Sequence, residues 1–455
     1  MKNSQTLASK ISEKTSIDYH VGVTLLLRLW TIAAGGILII LIPLYLTAPE
    51  QGYFFTFASL IAMQVFFELG FNYVVVQFIG HEMAHVTINN NGRLEGSSNS
   101  VSRIYSLISL LKKWYTVISL VFFVVVFFAG FYFFKHNGSL QIHDWLPGWT
   151  LLVFFSSINL FISPFLAVLE GMGFVGQVAT IRLIQSVVGY SVLSILLICK
   201  LGLIAIPAIT GAAALFSTIL VLKRYGRLLF RPGSDNIISN EKISWYKEIF
   251  PFQWRIALSW LSGYFIFQLF NPMLFAHQGA IEAGRIGLTL AIFSAMLSLS
   301  MSWVTAKSPT MARLIAENKK IELNKLFISL IKKSGTLNFL ISISFLIFVL
   351  LLKKYGVDIV SRVASIEVIV LLFFISLANH AVFSMAAYMR CHKEEPMIWN
   401  SLSTGFIAFP LIYIFSQVSS FATIASYGSI MIFVSLPWCY LLFRKYYNHG
   451  VIKGN

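Results

Sequence analysis

Apolar runs of about 20 residues, each long enough to cross a bilayer, recur between residues 23 and 443 of this chain. Segments of that kind satisfy their backbone hydrogen bonds in lipid as helices. The pattern predicts an all-α polytopic membrane protein with about twelve transmembrane helices. The expected spans are 23–46, 53–79, 114–134, 149–170, 178–199, 201–222, 249–275, 285–306, 334–352, 366–390, 397–416 and 421–443. Charged residues make up 11% of the chain, against about 25% in a soluble globular protein. No polar stretch between the runs is long enough for a water-soluble domain.

The net charge of +16 would suit nucleic acid if it were spread over a soluble surface, but it is not. Lys and Arg concentrate in the loops 80–113, 223–248 and 307–333, on one side of the predicted topology, as cytoplasmic loops do. Both termini fall on that side. The basic balance therefore reflects topology and the anionic inner leaflet, not a nucleic-acid partner. Cys199, Cys391 and Cys439 have no metal or redox spacing. The polar stretch before the first span does not have the form of a cleaved signal peptide.

The chain repeats itself. Arg28, Gly36 and Gln51-Gly52 recur at one constant spacing as Arg255, Gly263 and Gln278-Gly279. At a slightly shorter spacing Ile108–Lys113 recurs as Ile328–Lys333, and Phe154-Phe155-Ser156-Ser157 matches Phe373-Phe374-Ile375-Ser376. This divides the chain into a first six-helix bundle (1–222), a basic cytoplasmic linker (223–248) and a second six-helix bundle with a cytoplasmic tail (249–455). An even number of spans per half gives both halves the same orientation, a parallel repeat of the kind found in transporters. The basic amphipathic stretches 101–113 and 314–333 are expected as interfacial helices on the cytoplasmic leaflet.

Charges inside spans are expensive and need a partner, water or a function. Arg28 and Arg255 hold matched positions near the cytoplasmic ends of the first and seventh spans; they either snorkel to the headgroups or line a cavity and bind an anionic group. Arg182, nearer its span's end, reads as a snorkelling residue, and Glu170 as a solvated one. Glu68, deep in the second span, is either a salt-bridge partner or a proton or sodium site. Asn159, Asn379 and His380 lie mid-span, where interhelical hydrogen bonds are the simplest role. Residues 47–52 are expected as a turn. Gly171-Met172-Gly173-Phe174-Val175-Gly176 fits G-x-G-x-x-G but joins two helices, without the strand a dinucleotide site needs. No G-x-S-x-G and no His/Cys cluster appears, so neither an enzyme nor a metal site is expected.

Pro49-Glu50-Gln51-Gly52-Tyr53, the span ending in Phe66-Phe67-Glu68-Leu69-Gly70-Phe71, and Ser308-Pro309-Thr310-Met311-Ala312-Arg313-Leu314 resemble bacterial polysaccharide flippases. These are the O-antigen flippases of the multidrug/oligosaccharidyl-lipid/polysaccharide exporter superfamily. The resemblance implies two six-helix bundles around a central cavity that opens alternately to each side of the bacterial cytoplasmic (inner) membrane. It implies a lipid-linked oligosaccharide on undecaprenyl diphosphate as cargo, an O-antigen unit of lipopolysaccharide or a related surface polysaccharide. Arg28, Arg255 and Arg182 would be the cavity cations, with Glu68, His380, Asn379 and Asn159 as coupling-ion or cavity polar groups. Proton or sodium coupling is implied without any other cofactor. Membrane lipids, a polysaccharide polymerase and a chain-length protein would be partners. Two alternatives stand: a multidrug cation antiporter of the same superfamily, which would favour acidic cavity residues, and a membrane polysaccharide polymerase, against which the short outward loop 135–148 argues.

Overall fold

A helix cap replaces the first expected turn. Thr47 accepts a hydrogen bond from the Glu50 N–H, and the Glu50 carboxylate accepts from the Thr47 N–H at 2.8 Å. This reciprocal capping box ends the break after α1 (Tyr19–Tyr45) and starts α2 (Ala48–Ile61). Residues 48–52, expected as part of the turn, are therefore helical, and Gln51 and Gly52 are buried. The computed structural model describes residues 19–89, 93–230, 243–392 and 396–449. Among them, 10 helices are long and apolar enough to span a bilayer, and one bent pair makes an eleventh span.

That bent pair is the second expected span. It runs through α2, a 3-10 turn, α3 (Val65–Glu68) and α4 (Phe71–Glu82), and bends by 45°. The break is at Leu69 and Gly70, both left-handed with φ of 49° and 67°. A short antiparallel hairpin follows, β1 (Val86–Ile88) on β2 (Leu94–Gly96). Then come α5 (Ser98–Asn137), α6 (Ile142–Gly171), α7 (Val175–Ile198) and α8 (Pro207–Phe230). The glycine-rich stretch after Glu170 is the tight turn between α6 and α7, with Gly173 at φ 92°.

The seventh span is also divided. A π-turn (Trp245–Ile249) leads into α9 (Phe250–Phe267), which stops at Gln268 and Leu269 before α10 (Phe270–Gln278). After it lie α11 (Ala280–Ala316), α12 (Lys320–Lys354), α13 (Ile366–Arg390) and α14 (Ile398–Ser416). The last span is α15 (Ser420–Ile430) and α16 (Leu436–His449), joined through the π-helical residues Met431–Ser435.

The two expected interfacial helices are corrected. Nothing between residues 98 and 114 breaks a helix, so residues 101–113 continue directly into the third span. At 1.5 Å per residue the 40 residues of α5 reach about 60 Å. The apolar stripe Val101, Ile104, Ile108, Leu111 and Tyr115 is buried in protein. Residues 314–333 split at a turn where Asn318 has φ 55°; Leu323, Phe327 and Leu330 then pack with Val382, Tyr388 and Met389 in a common core. An amphipathic stripe has the same spacing whether it meets lipid or protein, and here it meets protein.

Packing sorts the chain into two compact units. The first holds Met63–Tyr132, Gln141–Ala257 and the described part of Met1–Leu38. The second holds Ile39–Ala62, Phe133–Leu140 and the described part of Leu258–Asn455. In the first, the Trp149 ring lies so close over Gly130 that a Cβ there would be 2.1 Å from it. In the second, Tyr53 packs on Phe134 and Phe275 at centroid distances of 5.2 and 4.9 Å.

Candidate functional site

Each unit contains a sizeable polar cavity within its own helices. In the first unit a cavity of about 420 Å³ lies among the 3-10 turn before α3 and helices α4, α6, α7 and α8. Its polar wall is Gln64, Asn72, Asn159, Ser163, Glu170, Arg182, Gln185 and Ser217. Arg182 and Glu170 form an ion pair at 2.9 Å, with Arg182 half exposed. Glu170, expected to be merely solvated, is thus the counter-charge of Arg182. Glu68 stands beside the wall. It accepts hydrogen bonds from Asn72 Nδ2 at 2.5 Å and Gln64 Nε2 at 3.5 Å. Asn72 also donates to Ser163 Oγ at 3.0 Å and accepts from Tyr115 at 3.4 Å. The left-handed break at Leu69 follows Glu68 directly, so this carboxylate sits at the end of a helix inside a span. Gln185 donates to Ser217 Oγ and so joins α7 to α8.

The second cavity, of about 460 Å³, is lined by residues of α2, α9, α10, α11, α13 and α15. Its polar groups are Ser59, Gln268, Asn271, Ser294, Ser376, Asn379 and Tyr427, set among Phe55, Phe267, Phe270, Phe293 and Phe383. Among the described residues, none that lines it is charged.

The asparagines relate the two cavities. Asn159 Nδ2 donates to the Thr210 carbonyl at 2.9 Å, and Asn379 Nδ2 donates to the Tyr427 hydroxyl at 3.3 Å. Each ties the fourth span of its half to the sixth. In the repeat alignment, burial matches Ser156 with Ser376 and exposed Phe154 with exposed Phe374. That register pairs Asn159 with Asn379 and carries the spacing of Ile108–Lys113 to Ile328–Lys333. The letter-by-letter match of Phe154 with Phe373 is one residue out, because Phe373 is buried and Phe154 is not.

The structure brings together Arg182, Asn159 and, through Gln64 and Asn72, Glu68. Asn379 lies in the other cavity. His380 lines neither: its Nε2 is 2.9 Å from Ser334 Oγ, between α13 and α12. Arg28 is exposed on α1 and has no ion-pair partner among the described residues. The backbone of Arg255 lies in α9, but its side chain is outside the described residues. Gln64, Asn72, Gln185 and Asn271 were not anticipated. The first two had a signal: Gln64, Glu68 and Asn72 are spaced four apart, one face of a helix.

A charge cluster closes another part of the first unit. Arg103 reaches Glu82 at 2.8 Å and Glu248 at 2.5 Å. Partial desolvation opposes the charged form of Glu248, but the Ser244 N–H and the Arg103 guanidinium outweigh it and hold the carboxyl below its ordinary range. Trp245 beside it packs on Trp114, with ring centroids 6.4 Å apart, and donates to Gln253 at 3.2 Å.

No protein-family model matches the chain, and no curated protein matches it in sequence. Solved structures do match it along nearly its whole length. One is an inward-facing multidrug resistance MATE family transporter of the MOP superfamily, 14% identical, with a TM-score of 0.60 over 95% of this chain and 99% of that one. Another is the lipid II flippase MurJ in an inward closed conformation, 11% identical, with a TM-score of 0.62 over 92% of this chain and 87% of that one. A third is the MATE multidrug transporter DinF-BH, 15% identical, with a TM-score of 0.58 over 98% of this chain and 97% of that one. At such identities the likeness is one of fold: this chain is an all-α polytopic membrane protein with the twelve-helix fold of MOP-superfamily transporters.

Proposed function

We propose that this protein is a flippase rather than an enzyme. It carries an undecaprenyl-diphosphate-linked oligosaccharide, an O-antigen or related repeat unit, from the cytoplasmic to the outer leaflet of the bacterial inner membrane by alternating access. The observation that carries this reading is the fold it shares, over 92% of its length, with a lipid II flippase. Arg182 at the first cavity and exposed Arg28 supply cations for a diphosphate, and Arg255 is assigned with them from its repeat position. An inside-negative potential favours outward movement of two negative charges by about 4.6 kcal/mol per 100 mV. Glu68 is the group assigned to proton or sodium coupling. A polymerase and a chain-length protein are the partners such a cargo would meet next.

A second reading has its own observation. Glu68 and Glu170 outnumber Arg182 at the first cavity, which suits a multidrug cation antiporter, as two of the fold relatives are named multidrug transporters. Depletion of the protein, followed by mass analysis of polyprenol-linked glycans, separates the two. Complete repeat units accumulating on the cytoplasmic side support the flippase. Unchanged glycans with new sensitivity to cationic drugs support the antiporter instead.

A further inference from the structure

The structure assigns the second unit's cavity to an uncharged, hydroxyl-bearing sugar, and this rests on the flippase reading above for the source of that sugar. The cavity's size lies within the roughly 300–1,000 Å³ of small-molecule sites, which pair apolar walls with a few convergent polar groups. Among the described residues its wall carries amides, hydroxyls and phenyl rings and no charge. Such a set can donate to and accept from neutral hydroxyls while the ring faces take the apolar face of a pyranose. It offers no counter-charge to an ion.

The hydrogen bonds inside the wall are long. Asn271 donates to Ser59 at 3.3 Å, Ser59 to Gln268 at 3.5 Å, and Asn379 to Tyr427 at 3.3 Å. Ordinary N–H···O bonds run to about 3.2 Å and O–H···O bonds to about 3.0 Å, so all three lie beyond the usual range. Two acceptors are left over. The carboxamide oxygens of Asn271 and Asn379 have no donor among the described residues, and Asn379 is only 8% exposed. Buried polar groups are normally paired, so these oxygens call for a donor. A sugar hydroxyl supplies one, and the loose bonds around it let the amides turn toward a ligand. Asn159 at the equivalent place in the first unit is not orphaned in this way, and that cavity carries Arg182 and Glu170. The first unit's cavity is therefore charged and this one neutral, so the two differ in the ligand chemistry they admit.

The test is saturation-transfer NMR on the full chain in lipid nanodiscs, with glucose, galactose and N-acetylglucosamine as probes. Protein-dependent transfer to at least one probe is expected, at least five-fold weaker in both Asn379→Leu and Asn271→Leu. Two separate sites guard against one variant failing to fold. Equal transfer in the variants, or none in the wild type, overturns the proposal. So does a sodium-dependent rise in melting temperature that Asn379→Leu abolishes, since that assigns the cavity to a cation. In cells carrying only Asn379→Leu, accumulated lipid-linked glycan identifies the lipid-linked source; lost sugar binding without accumulation identifies a free sugar. Sugar binding that persists while depletion of the protein leaves lipid-linked glycans unchanged would overturn the flippase reading and leave the sugar site standing.

Discussion

At Leu69 the backbone takes a conformation its side chain opposes. An L-residue in the left-handed region costs about 1–2 kcal/mol, and glycine's extra entropy in the unfolded chain returns about 0.5–1 kcal/mol of any relief. Leu69→Gly should therefore stabilise the protein slightly, by up to about 1 kcal/mol, and Gly70→Ala should destabilise it. Thermal unfolding of the purified protein reads both, and a fall in melting temperature with Leu69→Gly would mean that the Leu side chain, not the backbone, decides this site. One residue earlier, Glu68 depends on Asn72. Asn72→Leu removes donors to both Glu68 and Ser163, and the expected loss is about 1.5–3 kcal/mol, the range for hydrogen bonds to charged groups. An unchanged melting temperature would exclude Asn72 as the support of Glu68. The depth of Glu68 in an apolar run was legible from sequence. The break beside it was not, because Leu69 is a poor left-handed residue and nothing in its type announces the turn.

Helices pack by what their surfaces allow, and the matched glycines show how one sequence pattern can serve two physical ends. A Cβ on Gly52 would lie 1.9 Å from the Ala280 carbonyl oxygen, and one on Gly284 would lie 2.7 Å from the Gly52 nitrogen. Small residues permit this backbone contact between α2 and α11. Gly279, the repeat partner of Gly52, has open space around it but a φ of 86° and ψ of 169°, a conformation essentially restricted to glycine. Gly52→Ala should cost about 1–3 kcal/mol through overpacking, seen as a lower melting temperature. A melting temperature within error of the wild type would mean that α2 and α11 separate freely. The adjoining glutamines kept their role: Gln51 Nε2 donates to the Gly284 carbonyl at 2.8 Å, and Gln278 Nε2 to the Ser416 carbonyl at 2.9 Å. The repeat was therefore legible where it rested on hydrogen-bonding side chains. The length of α5 was not, because the basic, amphipathic residues 101–113 read as a separate interfacial helix although no residue there would end a helix before the span.

For the molecule as a whole, the apolar runs carried the fold class, since lipid leaves a spanning chain few other structures. They did not carry the site. Cavity walls come from residues far apart in sequence, such as Asn72 with Ser163, and amides at such positions look like any interhelical hydrogen bond. The same holds for the Glu82–Arg103–Glu248 cluster, which ties α4 and α5 to the turn that opens the second sequence half. The carboxyl of Glu248 is held below its ordinary value, so its contribution to stability is present in full above the unfolded value of about 4.3. That contribution is lost as pH falls through the lower folded value. Glu248→Gln should lower the melting temperature at pH 7 and flatten its fall below about pH 4.3. Because Arg103 and Glu248 both keep contact with solvent, added salt should narrow the gap between variant and wild type. Arg103→Gln should cost more than Glu248→Gln, since it strands two carboxylates instead of one guanidinium that still has Glu82. Melting curves of the three proteins from pH 7 down to pH 3.5, at low and high salt, measure all of this. Equal curves at pH 7 would show that the cluster is a solvated contact that holds nothing together.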